Sequence, residues 1–243
     1  MSSYRKVDSN QGLILVYSEP GDSVATEEFN DWYDNEHVPP RLVVPGILTS
    51  ARYKAADSKT PSWIALYDIT SPDVAKSVAY QSLRTTASDR ENKLIAGLPL
   101  LNRRVYSHVL TYVQPHAAPS SLPGRYLLIV HMQVTLEEEE EFNRWYNEEH
   151  MDLLSKVPGW LRGRRYKLVE SVYRGINAKQ PTKDEKPCAD YLAIHDVESD
   201  GFMDLPELKH AMQTPWREKV MKTIVGRELR RFEKYKVFKQ AQV

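Results

Sequence analysis

Four of the seven histidines in this 243-residue chain stand where an imidazole could carry protons. His37 and His150 each close an aromatic-rich stretch with helical spacing, and His131 and His195 lie inside apolar runs of strand length. Imidazole titrates near neutral pH, so each could act as general base or acid. A histidine in a last helical turn can instead bond free carbonyls and favour the negative helix end. His37 is expected to play that structural part. His150 is expected to act with His131 or His195 as the acid–base pair, with Tyr146 orienting the substrate. Trp145, Tyr191, Trp216 and Glu149 are the expected substrate-binding residues.

The elements that must hold these residues come twice. Phe29-Asn30-Asp31-Trp32-Tyr33-Asp34-Asn35-Glu36-His37 returns 113 residues later as Phe142-Asn143-Arg144-Trp145-Tyr146-Asn147-Glu148-Glu149-His150. The same offset carries Val44-Pro45-Gly46 onto Val157-Pro158-Gly159 and Arg52-Tyr53-Lys54 onto Arg165-Tyr166-Lys167. A period near half the chain is too long for a solenoid and means two copies of one domain.

Each copy reads as βαββαβ. In the first, residues 13–17 form an apolar strand stopped by Pro20-Gly21, and Asp22 is placed to cap a helix. Phe29, Trp32, Tyr33 and Glu36 then share one helical face. Strands follow at about 47–54 and 63–67, helical segments at about 73–97, and a strand at 103–113. In the second, a strand at 126–134 precedes a helix for which Thr135 and Glu138 form a capping box, with Glu137–Glu141 compensating the dipole. Strands at about 160–173 and 189–197, a helix at about 216–225 and a strand at 229–238 complete it. The expected domains are residues 1–113 and 125–243, joined by a Pro/Ser-rich linker at 114–124. A segment at about 170–187 has no counterpart in the first copy, and long loops of that kind often act as lids.

The pattern Phe-x-x-aromatic-aromatic-x-x-x-His, with Pro-Gly eight residues on, resembles the EthD-like members of the dimeric α+β barrel superfamily. Gln213-Thr214-Pro215-Trp216 is similar to that family's sequence before its last helix. The resemblance covers most of both halves. It implies an α+β fold of two fused ferredoxin-like βαββαβ repeats forming a pseudo-dimeric α+β barrel. Such a sheet has helices on one face, so two copies can bury their bare faces together. A monomer, or at most a weak dimer, is therefore expected. The resemblance also implies an aromatic-lined pocket and no cofactor. Activity is expected as acid–base tailoring of a small aromatic or polyketide-like compound, of dehydratase, decarboxylase or cyclase type. The alternatives are a non-catalytic small-molecule-binding or stress-associated protein and a cofactor-free oxygenase.

Composition narrows the partners. Lys+Arg 33 balances Asp+Glu 33, which gives no electrostatic footprint for nucleic acid or an anionic membrane. No apolar run approaches the roughly 18 residues of a membrane span. The stretch Met1-Ser2-Ser3-Tyr4-Arg5-Lys6 lacks a secretory signal's apolar core. Cys188 is alone, so a reducing, cytoplasmic setting is expected. Asp196-x-Glu198-x-Asp200-Gly201 approaches a calcium loop, but Glu at the third position and a strand before it argue for an acidic loop and no metal. No phosphate loop, G-x-S-x-G elbow or H-E-x-x-H is present.

The halves are not equal. Ser18 and Tyr67 stand where the second half has His131 and His195, and the second half alone has the long segment. Any working pocket is therefore expected in the second half.

Overall fold

The computed structural model describes residues 11–178 and 189–239. Cys188 and the end of the long segment lie outside them. The described residues divide into two compact units, the first made of 11–108, 168–178 and 235–239, the second of 109–167 and 189–234. The expected contiguous halves describe this division only approximately. Three strands of 13 to 15 residues, far longer than the usual five or six, pass from one unit into the other.

In the first unit β1 (Gly12–Glu19) is followed by α1 (Thr26–Trp32), α2 (Pro39–Leu42), β2 (Ser50–Ala55) and β3 (Trp63–Ile69). Then come α3 (Val78–Thr85), α4 (Asp89–Gly97) and β4 (Leu100–Val113). The strands are antiparallel in the order β4-β1-β3-β2. Seven consecutive buried residues in β1 explain its unbroken apolar run, since both faces are covered.

The second unit repeats the order with β5 (Tyr126–Gln133), α5 (Glu139–Trp145), α6 (Met151–Ser155), β6 (Trp160–Arg174), β7 (Tyr191–Val197), α7 (Pro206–Ala211), α8 (Pro215–Met221) and β8 (Gly226–Phe238). Its strand order is β8-β5-β7-β6, again antiparallel.

Both Pro-Gly turns place glycine at positive φ, +93° at Gly46 and +76° at Gly159. A Cβ on Gly46 would come within 2.5 Å of Val74 Cγ2, so the turn demands glycine there.

Several local expectations change. Asp22 caps nothing: α1 starts at Thr26 behind Ala25, with no side-chain cap. Thr135 and Glu138 form no capping box either. The Glu138 N–H donates to the Thr135 carbonyl in a turn, which delays the helix to Glu139. Among the described α-helices, side-chain caps form at Ser77, Ser88 and Thr214, each accepting from the N–H three residues on. The strand expected from 47 begins at Ser50, Ile47 contributing only a bridge to Ile69.

The largest change lies in the repeated helices. After Trp32 the backbone takes a π-turn, Tyr33–His37, closed by Val38 N–H donating to the Tyr33 carbonyl at 3.0 Å. Tyr146–His150 does the same after α5. A π-turn spends one residue more than an α-turn. Helical periodicity puts Glu36 on the inner face with Phe29 and Trp32; the extra residue puts His37 there instead, 5% exposed.

Each unit also buries an arginine against aromatic rings. Arg52 lies 4.2 Å from the Tyr33 ring centroid and Arg165 at the same distance from Tyr146. Arg52 is paired with Asp34, but Arg165 meets the neutral Asn147 and Asn143, and burial lowers it to about 10.

Candidate functional site

The first unit holds a cavity of about 100 Å³ between the sheet and α3–α4. Val16 and Tyr67 come from β1 and β3, His37 from the π-turn, Glu91 and Ile95 from α4, and Val172 and Arg174 from the far end of β6. The described part of the long segment therefore serves the first unit, where the sequence expectation had it covering a pocket in the second.

At the inner wall His37 Nδ1 lies 2.8 Å from Glu91 Oε1, both residues buried. Arg41 donates to the His37 carbonyl and approaches Glu91 Oε1 at 3.6 Å. Burial first, then the charge of Arg41, pushes His37 down to about 3, against the pull of Glu91. Burial opposes ionisation of Glu91, but the hydrogen bond and charge of His37 and the charge of Arg41 outweigh it, holding the carboxyl below its usual value. At neutral pH the pair is thus a neutral imidazole donating Nδ1–H to a carboxylate, which leaves the Nε2 lone pair as a proton acceptor.

The Tyr67 hydroxyl is buried on the same wall. It and the Tyr33 hydroxyl lie close enough to influence one another's ionisation, but among the described residues neither meets a partner at strict hydrogen-bond geometry. Burial, then the neighbouring Tyr33, raises Tyr67 well above the normal tyrosine value.

The expected residues of the second half do not all meet. Tyr146, His150 and His195 line one cavity of about 20 Å³ with Arg217 and Arg227. A water needs roughly 10–15 Å³, so this space suits a water rather than a substrate. Trp160 Nε1 donates to His195 Nδ1 at 3.2 Å, leaving the proton on Nε2, 3.4 Å from the Tyr146 oxygen. Burial, partly offset by Asp196, lowers His195 to about 4. Burial, then the charges of His195 and Arg217, drives His150 well below its normal value, and among the described residues its Nδ1 meets no hydrogen-bond partner.

His131 cannot join them. Strand alternation turns it to the face of β5 opposite Leu128, Val130 and Met132, which line that small cavity. The expected His150–His131 pairing is corrected on this ground.

The expected binding residues sit outside both cavities in structural bonds. Trp145 Nε1 and Thr214 Oγ1 both donate to Glu149 Oε1, at 3.1 and 2.6 Å. The Tyr191 hydroxyl donates to Glu139 and accepts from Asn143, and Trp216 Nε1 donates to Glu141. Asp196, first residue of the calcium-like run, is held by Arg162, Arg164 and the Gly124 N–H. Among the described residues no group of three or more His, Cys, Asp or Glu is placed to hold a metal ion.

Sequence reasoning missed Glu91. Ser88-Asp89-Arg90-Glu91 has the spacing of a capping box, which gives Glu a local use at a helix start. Ser88 does cap the Glu91 N–H at 3.0 Å, but the Glu91 carboxylate turns inward to His37. Its burial was the missing signal, and only the tertiary fold supplies that.

No family model matches the chain, and no curated protein matches it. Solved structures do. An anthrone oxidase-like protein superposes with a TM-score of 0.63 at 11% identity, covering 97% of this chain and 95% of its own. A protein proposed to be a monooxygenase, from Lactobacillus acidophilus, gives 0.55 at 8%, covering 96% and 98%. A mutant chlorite dismutase from Candidatus Nitrospira defluvii gives 0.54 at 9%, covering 93% of each chain. The chain shares with them a mixed α+β fold of antiparallel strands and helices. At these identities the likeness carries fold alone. No helix among the described residues is long and apolar enough to cross a membrane.

Proposed function

We propose that the chain is a cofactor-independent enzyme that removes a proton from a small aromatic or polyketide-like compound in the first unit's cavity. The observation that carries this reading is the buried His37–Glu91 pair, 2.8 Å apart at the wall of a 100 Å³ cavity. His37 Nε2 takes the proton: the substrate's C–H or O–H bond breaks, Nε2–H forms, and the electron pair stays on the substrate as an enolate or phenolate. Glu91 stabilises the imidazolium, and Arg41 stabilises the new anion. An anionic substrate would also offset the charge of Arg41 that weakens His37 as a base. The anion then expels hydroxide, which takes the Nε2 proton and leaves as water (dehydratase), or attacks a carbonyl of the same molecule to close a ring, the new oxyanion taking that proton (cyclase). In the decarboxylase outcome His37 instead takes the carboxylic acid's proton, the C–C bond to the carboxylate breaks, CO2 leaves and the Nε2 proton returns to the carbanion. The repeated motif supports reading the units as EthD-like ferredoxin-type repeats.

Two further readings have specific support. The names of the anthrone oxidase-like and monooxygenase-like neighbours favour dioxygen as the anion's acceptor, with a carbon–oxygen bond forming as oxygen is reduced. The contact between Tyr146 and His195 favours a second proton-transfer site beside His150. The experiment is turnover of candidate aromatic substrates by wild type, His37→Gln, Glu91→Gln and His195→Gln, with oxygen uptake recorded. Loss in the first two variants supports the primary reading. Loss only in His195→Gln overturns it.

A further inference from the structure

The cavity's rim has a charge balance that acid–base chemistry alone does not require. Besides Arg41, Arg84 from α3, Arg103 from β4 and Arg174 from β6 line it, and among the described lining residues Glu91 is the one carboxylate. Arg103 Nη2 is bound to Glu170 at 3.0 Å, but its Nη1 is buried with no acceptor among the described residues. Arg174 is half-buried; its own burial, then the charges of Arg84 and Arg103, lowers its affinity for a proton. Clustered like charges in a partly dry setting raise the energy of the free protein unless an anion joins them.

Further in, the surface changes to Val16, Leu83, Ile95, Leu101 and the Tyr67 ring, an apolar sleeve leading to His37. The space is somewhat below the roughly 150 Å³ apolar cavity that admits benzene, and it opens outward past the exposed Gln81 and Arg84. A ring occupying this space would leave its substituent at the mouth, beside Arg84.

We infer that the substrate is a small aromatic carboxylic acid, bound with its carboxylate on Arg84, Arg103 and Arg174 and its ring directed toward Tyr67 and His37. This rests on the reading of the cavity as the working site and adds the substrate class. A planar guanidinium matches a carboxylate through two parallel hydrogen bonds, and the orphaned Arg103 Nη1 gains its missing acceptor.

The test is binding of benzoate and its neutral isostere benzamide to the full chain, by calorimetry and by thermal shift. Benzoate should bind and raise the melting temperature, more weakly as salt rises; benzamide should do neither. Arg174→Met and Arg84→Met should each weaken benzoate about tenfold or more, on the scale of a lost charge-assisted hydrogen bond. Arg84 is exposed, so its replacement reads binding even if the Arg174 variant folds poorly. Equal binding of benzoate and benzamide, or benzoate affinity unchanged in Arg84→Met and Arg174→Met, overturns the proposal. His37→Gln should retain benzoate binding. Failure of the substrate class is thus separable from failure of the proton-transfer reading, which His37→Gln and Glu91→Gln turnover decides.

Discussion

The two repeats build the same cradle around a histidine and then set a different charge in front of it. An offset of 126 residues carries the cap Ser88 onto Thr214, and with it Glu91 onto Arg217. In the first unit the third residue after the cap is a carboxylate that accepts the imidazole proton; in the second it is a guanidinium that repels one. The cavities differ accordingly, about 100 Å³ against about 20 Å³. One position near the start of a short helix thus gives one inward histidine a carboxylate partner and the other a guanidinium neighbour.

The sharpest way to break this comparison is turnover. His37→Gln and Glu91→Gln are each expected to lower kcat about 100-fold or more, the scale of a general acid–base group, while His150→Gln leaves kcat per folded molecule within error. Equal losses at His37 and His150 would erase the distinction. A gentler version exchanges the charge: Arg217→Glu should raise the His150 pKa toward the normal range, read by NMR titration. An unmoved pKa would show that Arg217 does not set it.

The buried arginines give the next effect. Asp34→Asn removes a charged acceptor from Arg52 and is expected to cost roughly 1.5–3 kcal/mol in denaturant melts, the scale of a hydrogen bond to a charged group. Asn147→Asp turns a neutral acceptor of Arg165 into a charged one, so its effect should carry the opposite sign. Matching signs would mean that charge at this site does not matter.

Much of the scaffold was legible from residues alone. The 113-residue echo showed the repeat, and apolar runs, the Pro45-Gly46 turn, alternation and the repeated order placed eight strands close to where they lie, because these signals are local. What stayed hidden depended on distant partners. Glu91 reads as a cap until α4 is packed on the π-turn. Arg174 reads as part of an unmatched segment until β6 extends into the first unit. His131 and His195 look alike as strand histidines, and only the pairing of faces separates them.

Acid should act on both units. Buried His37 and His195 fold with values of about 3 and about 4, below the 6.5 of a free histidine. Between those values the unfolded chain binds more protons, so stability is full above about 6.5 and falls as pH drops toward 4. Melting temperature should decline over that window, less steeply in His195→Gln. A slope unchanged by that replacement would remove His195 from the account. The smallest effect concerns metal. Dialysis against chelator should leave the melt where it was, and a drop restored by calcium would reopen the Asp196 loop.

The π-turn also sets the angular frame of each histidine. Both copies hold it at the same place, 33–37 and 146–150, and both histidines face inward behind it. Removing one residue from Asp34, Asn35 or Glu36 should restore α-helical spacing in one copy only, swinging His37 by about 100° around the helix axis while the other copy keeps its turn.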